Sequence, residues 1–430
     1  MAGDPTDTSV ASGEDVMVLS AVMALSGASF GKVQVTGSDS LVSLRCRLAE
    51  AGGFPSHLVR IVQDSTVLGD GGTIESLGLK DGCTVLVMLV APSSEVITAS
   101  QDGSARVWDT TDGSCCFSLS AGNGGGVHCA VLSRDGALAV TASADGMIRI
   151  WRLGDDSCLT LEGHGCAVSS LQLSADLSQV LSASDDSTVR LWRVEDGACL
   201  LTLQGDAHGM RSAIFCPAGN QVLGGGADGS LTLWCSKTGS CLRKFEGHRF
   251  AIHTVAFSPD GLKALSASDD RSAKIWHVES GSCLQVLTDP GDACGPVFSA
   301  VFSPDGLLMM TACFDRSARI FRVEDGASVH VLRGHSDAVI AVAFSPSGSL
   351  ALTASDDRSC RLWAVADGAL VHILQGHRGG VNSAVFSLDG ERVVTASDDG
   401  EARLWSVGSG ECFHVLKGHR KRLHCADFCR

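Results

Sequence analysis

From Glu95 onward, apolar runs of four to seven residues alternate with turns built from Gly, Asp or Ser-Pro-Asp-Gly, as in Ala256–Gly261. Runs of that length bounded by such residues predict β-strands throughout this part of the chain. The pattern also recurs. Trp108, Trp151, Trp192, Trp234, Trp276, Phe321, Trp363 and Trp405 follow one another at gaps of 43, 41, 42, 42, 45, 42 and 42 residues, each closing a segment such as Leu181–Trp192. A fixed period with four short strands per unit predicts a repeat architecture, here in eight copies.

A second motif shares the period: Gly-His at 163–164, 247–248, 334–335, 376–377 and 418–419. With it, the stretch from about Glu95 to Arg430 resembles the WD-repeat family of β-propellers. That resemblance implies a mainly β, eight-bladed ring of four-stranded blades. It also implies a buried tetrad in each regular blade: the His, a Ser or Thr of the second strand, the Asp of the next turn and the Trp of the third strand. Carried over by position, the tetrads are His164, Ser184, Asp186, Trp192; His248, Ser268, Asp270, Trp276; His335, Ser355, Asp357, Trp363; and His377, Ser397, Asp399, Trp405. Three copies depart from it. Asn123 stands for His in the second, Asp206 and Gly226 for His and Ser in the fourth, and Ala293, Cys313 and Phe321 for His, Ser and Trp in the sixth. Those blades are expected to be less well tied.

The ends complement each other. The first copy enters at a second strand, Glu95–Ser100, while the chain finishes with Gly-His and an inner-strand pattern at Leu423–Phe428. Strand 423–430 is therefore expected to close the ring, removing an exposed sheet edge, with a fifth tetrad of His419, Ser100, Asp102 and Trp108. A seven-bladed ring with one irregular copy is the competing count.

Residues 15–91, after an acidic tail over 1–14, do not follow the repeat. Val16–Leu25 and Gly31–Thr36 predict a hairpin, and Ser40 a helix cap with Leu41, Leu44 and Leu48 on one face. Together with Leu58–Val62 and Lys80–Val90 the segment resembles the ubiquitin family, a small α+β β-grasp domain. The resemblance maps a recognition patch onto Leu25, Arg60, Val62, Leu86 and Met88. The segment runs into the propeller through 92–94 without a free Gly-Gly end, so it is not expected to be conjugated.

Composition narrows the function. Lys and Arg number 33 against 48 Asp and Glu, a net charge of −15, which does not favour nucleic acid or an anionic membrane as partner. The longest uncharged stretch near the start, Cys83–Ser94, is too short to span a bilayer, and no secretion signal is present. An intracellular monomer, cytoplasmic or nuclear, is expected. The outer-strand cysteines Cys115, Cys158, Cys199, Cys241, Cys283 and Cys412 occupy equivalent positions on different blades, too far apart to bridge, and are expected to pack as small apolar groups. His424, Cys425 and Cys429 lack a fourth metal ligand. With no nucleotide-binding, metalloprotease, Cys-x-x-Cys or nucleophile-elbow motif, no catalytic residue, metal or cofactor is expected.

What remains is protein binding. In the family the residue before the turn Asp points to the top opening; here those positions hold Asp185, Asp269, Phe314, Asp356 and Asp398, with Arg271, Arg316 and Arg358 just after the turn Asp in three neighbouring blades. The expectation is a scaffold or adaptor whose top face binds a protein segment containing Lys or Arg, while the first domain docks on a ubiquitin receptor or the proteasome. The alternative is a structural or signalling propeller unconnected with ubiquitin.

Overall fold

The computed structural model describes residues 95–122, 125–154, 157–206, 208–288 and 295–429, and before them the backbone of five strands. The chain divides into two compact units, Met1–Ser93 and Ser94–Arg430. In the first, β1 (Val16–Met23), β2 (Ser29–Thr36), β3 (Val59–Gln63), β4 (Thr66–Val67) and β5 (Thr84–Leu89) form one sheet in the order β2-β1-β5-β3-β4. β1 pairs antiparallel with β2 and parallel with β5. Arg60 is in register with Met88, and Val62 with Leu86. Leu25 and the helix expected from Ser40 lie outside the described residues.

The second unit is a ring of eight four-stranded antiparallel blades. Blade 1 combines Leu423–Phe428 with Glu95–Ser100, Ser104–Asp109 and Cys115–Ser120, so the last strand of the chain is its innermost one. Blades 2 to 8 are continuous, with inner strands beginning at Val127, Val168, Met210, Ile252, Val297, Val339 and Val381. Each inner strand touches those of the two neighbouring blades, and the strand at 423–428 joins blades 8 and 2. The circuit is closed, at eight.

The core lies between blades. Every second strand is buried at its last five positions, and Ala stands fifth in seven of the eight, as at Ala99, Ala183 and Ala354, each with no exposure. Blade 4 has Gly225 there, where a Cβ would come within 2.7 Å of Ile252. The close approach of adjacent blades explains the repeated small residue. The periodic aromatic bridges the same gap: Trp192 packs on Val140, Ala142 and Ile148 of blade 2, and Trp108 on Val394, Ala396 and Leu404 of blade 8. Each Trp thus joins its own blade to the preceding one.

Candidate functional site

The top face, which carries the Gly-His loops and the second-to-third-strand turns, is built around one repeated irregularity. In every blade the inner strand has a β-bulge at its second residue, where the register with the second strand slips by one. A bulge leaves its residue out of the ladder and re-aims the side chain. Repeated eight times, it builds the mouth of the ring from His128, Ser169, Arg211, His253, Phe298, Ile340, Asn382 and His424. This signal lies in strand pairing and cannot be read from local sequence.

The mouth residues meet the residues before each turn Asp. His253 Nε2 is 2.7 Å from Asp269, Asn382 donates to Asp398 at 2.8 Å, and Ser169 donates to Asp185 at 3.4 Å. Around blades 5 and 6 the contacts become aromatic: His253 stacks edge-on to Phe298 at 5.5 Å, and Phe298 to Phe314 at 6.3 Å. Phe314 is 56% exposed and Phe250, in the Gly-His loop of blade 5, is 61% exposed. Burial raises the Asp356 carboxyl above its usual range, reinforced by the charges of Asp337, Asp398 and Asp357. Arg271, Arg316 and Arg358 are exposed and adopt left-handed backbone, at φ 68°, 71° and 71°.

Beneath the mouth, the tetrads hold the turns. Trp192 Nε1 donates to the Ser182 hydroxyl at 2.8 Å, which in turn lies 2.8 Å from His164 Nε2, and His164 Nδ1 lies 2.8 Å from Asp186. Blades 5, 7 and 8 repeat the relay through Ser266, Thr353 and Thr395. Blade 1 builds it from both chain ends: Trp108 donates to Thr98, Thr98 lies 2.8 Å from His419, and His419 lies 3.3 Å from Asp102. The hydroxyl is therefore two residues earlier than Ser184, Ser268, Ser355, Ser397 and Ser100, the positions assigned from the sequence. Trp192 pairs directly with Val180; Ser182 is about 7 Å along that strand from Val180 and Ser184 about 13 Å, beyond the indole's reach. Ser184 instead accepts the Asp186 N–H and donates to the Cys166 carbonyl, pinning loop to turn.

The Gly before the His has a steric cause. A Cβ on Gly247 would sit 3.0 Å from the Trp276 ring and 3.1 Å from Lys274 Nζ, whose ammonium lies over that ring.

These geometries carry a pH dependence. Burial would raise Asp102 and Asp186, but the hydroxyls of Ser104 and Thr188, the N–H groups of Arg420 and Gly165 and the facing histidines outweigh it and hold both at about 2. Their contribution is present above the ordinary carboxylate value and is lost as pH falls from about 4 toward 2. Burial lowers His164 and His419, so the unfolded chain takes up protons first below about pH 6.5. Both signs favour neutral pH. The melting temperature is expected to decline below about pH 6.5 and more steeply below about pH 4; a midpoint unchanged between neutrality and pH 4 would contradict the histidine assignment.

The profile described as WD domain, G-beta repeat matches seven stretches, at 113–152, 156–193, 197–235, 239–277, 281–322, 326–364 and 368–406. Together they cover more than half of the chain. The chain belongs to the WD-repeat family. Each matched stretch runs from one blade's outer strand into the third strand of the next, so the parts of the ring that precede and follow the matches, 95–112 and 407–430, are those that combine into the closing unit. No curated protein matches the chain. Among solved structures, the computationally designed Ika8 protein is similar at 23% identity and a TM-score of 0.64, over 71% of this chain and 91% of that one; the likeness concerns the fold alone.

The WD-repeat propeller is a non-catalytic scaffold fold, and among the described residues no group of three His, Cys, Asp or Glu could hold a metal ion. Among the described residues there is no helix long and apolar enough to cross a membrane. Two of the three irregular blades, 2 and 6, are tied through a cation in place of the His. In blade 6, Arg319 forms a buried ion pair with Asp315 at 2.5 Å, and in blade 2 Arg149 reaches Ser143 and Asp145. A cation two residues before the aromatic is common to most blades; it lies over Trp where His holds the Asp, as in blades 1, 3 and 5, and turns to the Asp where His is missing. Asn123 and Ala293 lie outside the described residues. The outer cysteines correct another expectation. Cys115, Cys158, Cys199, Cys241 and Cys283 are exposed; they stand on the outward face of an edge strand, with thiols such as Cys115 and Cys283 donating to the carbonyl two residues on.

Proposed function

We propose that the chain is a protein-interaction scaffold whose partner docks on the top face at blades 5 to 7, around Phe314. The observation that carries this reading is an exposed aromatic, Phe314, joined through Phe298 to His253 at a mouth of Asp185, Asp269, Asp356 and Asp398, with Phe250 also exposed on the blade 5 loop and Arg271, Arg316 and Arg358 exposed in the turns. Large exposed apolar groups within a polar surround are the usual composition of an interface centre. Phe314 is more than half exposed, and Arg319 takes the Asp that a sixth His would hold. Phe314→Ala is therefore expected to weaken partner binding by about 2 kcal/mol or more with little change in melting temperature. A lowered melting temperature with intact binding would make Phe314 a packing residue instead.

The first unit is read as a ubiquitin-like domain that docks on ubiquitin receptors or the proteasome. Two features support it: a five-stranded mixed sheet with its last strand beside its first, and the register that pairs Arg60 with Met88 and Val62 with Leu86. Purified ubiquitin-receptor domains are expected to bind the full chain and to lose binding to a Val62→Ala, Leu86→Ala variant; equal binding would remove the ubiquitin connection.

A further inference from the structure

The top-face reading leaves open what kind of segment the partner presents, and the distribution of charge around the mouth bears on it. The four mouth acids are the obvious attractors for a basic partner, but three of them are already engaged: Asp269 by His253, Asp398 by Asn382 and Asp185 by Ser169. The turn carboxylates Asp102, Asp186, Asp270, Asp357 and Asp399 are held by histidines.

The cations are placed differently. Several cations on the flank and bottom of the ring are paired, as in Arg193 with Asp196, Arg322 with Asp325 and Arg392 with Asp389. On the top face Lys244 pairs with Asp206 and Lys417 with Glu401, but a larger group of cations is left without a partner. Arg249 and Arg378 in the Gly-His loops of blades 5 and 8, Arg271, Arg316 and Arg358 in the turns of blades 5 to 7, and the run Arg420–Arg422 entering blade 1 are all exposed. Among the described residues, none of these side chains makes a hydrogen bond or ion pair. A chain with a net charge of −15 thus exposes an arc of cations without ion-pair partners over blades 5 to 8 and 1, with the exposed acids Asp337 and Asp356 in blade 7 set among them.

Backbone geometry adds an independent observation. The turn position occupied by Arg271, Arg316 and Arg358 is Gly in blades 1, 2, 4 and 8, at Gly103, Gly146, Gly229 and Gly400, all with φ between 78° and 86°. A side chain in the left-handed region is strained where Gly is not. Three consecutive blades carry that strain on a long cation that contacts no acid in its own chain, the kind of outlier that marks a functional surface.

We infer that the partner's docking segment is an acidic stretch of polypeptide with one apolar residue: its carboxylates lie along the cationic arc and the apolar side chain seats on Phe298 and Phe314. The inference rests on the top-face reading and specifies its chemistry. It reverses the expectation, drawn from the acidic positions alone, that the partner supplies Lys or Arg. Charge complementarity also selects protein over nucleic acid. A phosphodiester chain carries a charge at every residue and would have to cross the mouth acids, including Asp356, whose negative charge is already disfavoured by burial and by its neighbours' charges. A peptide can place its uncharged residue there and its acids on the arc.

The test uses the full chain and short fluorescein-labelled peptides: one of Glu and Asp with a single central Leu, one with Lys replacing every acid, and a single-stranded thymidine oligomer of equal length. Fluorescence anisotropy is expected to register saturable binding of the acidic peptide, weakening as salt is added, with no comparable binding of the other two. The decisive variant is Arg271→Gly, Arg316→Gly, Arg358→Gly, which removes the charge and relieves the backbone at once. Its melting temperature is expected to hold or rise while affinity for the acidic peptide falls about tenfold or more. No saturable binding of the acidic peptide, tighter binding of the Lys peptide or the oligomer, or a triple variant that binds as the parent does would each overturn the inference. Phe314→Ala separates this from the reading it rests on. If a protein partner's binding depends on Phe314 but ignores the three arginines, the top-face reading stands and the acidic-segment inference falls; if it ignores Phe314 as well, both fall.

Discussion

A chain ending at Arg422 is expected to lose the cooperative unfolding of the full-length ring. The missing strand supplies the whole inner ladder of blade 1, paired from Leu423 with Ser100 to Phe428 with Val96. Leu423 has no exposure and Phe428 only 4%; deleting a buried side chain of either type costs roughly 2–5 kcal/mol, and a domain has only about 5–15 kcal/mol in total. Without the strand, Glu95–Ser100, buried at all but its first position, becomes an open edge between blades 8 and 2 and a template for aggregation. Calorimetry on the truncated chain should give a broad or early transition and concentration-dependent association. A single sharp transition at the full-length temperature would mean that the ring does not depend on its closing strand.

The second large effect is expected at Trp405. It is 2% exposed and packs on Leu352, Ala354 and Leu362 of blade 7, so Trp405→Ala opens a void between two blades and is expected to cost about 3–5 kcal/mol. The Thr395 hydroxyl, 3.0 Å from the indole nitrogen, would keep His377 as a partner at 2.7 Å. Trp405→Phe therefore loses one hydrogen bond, about 1 kcal/mol, and part of the ring's contact area. Blade 6 already places Phe321 at this position, 6% exposed. Urea denaturation midpoints should fall in the order wild type, Trp405→Phe, Trp405→Ala; equal losses for the two variants would place the main contribution in the relay and not in packing between blades.

Much of the ring was legible in the sequence because its period is written in residues whose roles are local. The Gly-His pairs, the turn Asp and the closing Trp recur at a fixed offset, and the mismatch between the two chain ends points to closure by 423–430. What was not legible depends on pairing. Ser182 and Ser184 alternate identically along one strand, and only the register of Trp192 against Val180 selects the nearer hydroxyl. The bulges that form the mouth leave no mark on the apolar pattern, so His253 and Phe298 read as ordinary inner-strand residues until the slip in register is seen. The arginine two residues before the aromatic is present with or without the tetrad histidine; its switch to the turn Asp in blades 2 and 6 follows from a vacancy elsewhere in the blade. The outer cysteines share a period with the core residues but stand on the exposed side of an edge strand, a distinction that depends on which neighbour covers that face.

The central claim, that the top face at blade 6 is where a partner binds, is tested most directly by a photo-crosslinking phenylalanine analogue placed at Phe314 in the full chain, with the same analogue at Leu307 as the control. Leu307 is 65% exposed, at a turn between the inner and second strands of the same blade, so the two positions differ in the face they report and not in accessibility. Irradiation in cells is expected to capture a discrete protein from position 314 and not from position 307. Capture from 307 alone, or the same products from both, would contradict the assignment of the binding site.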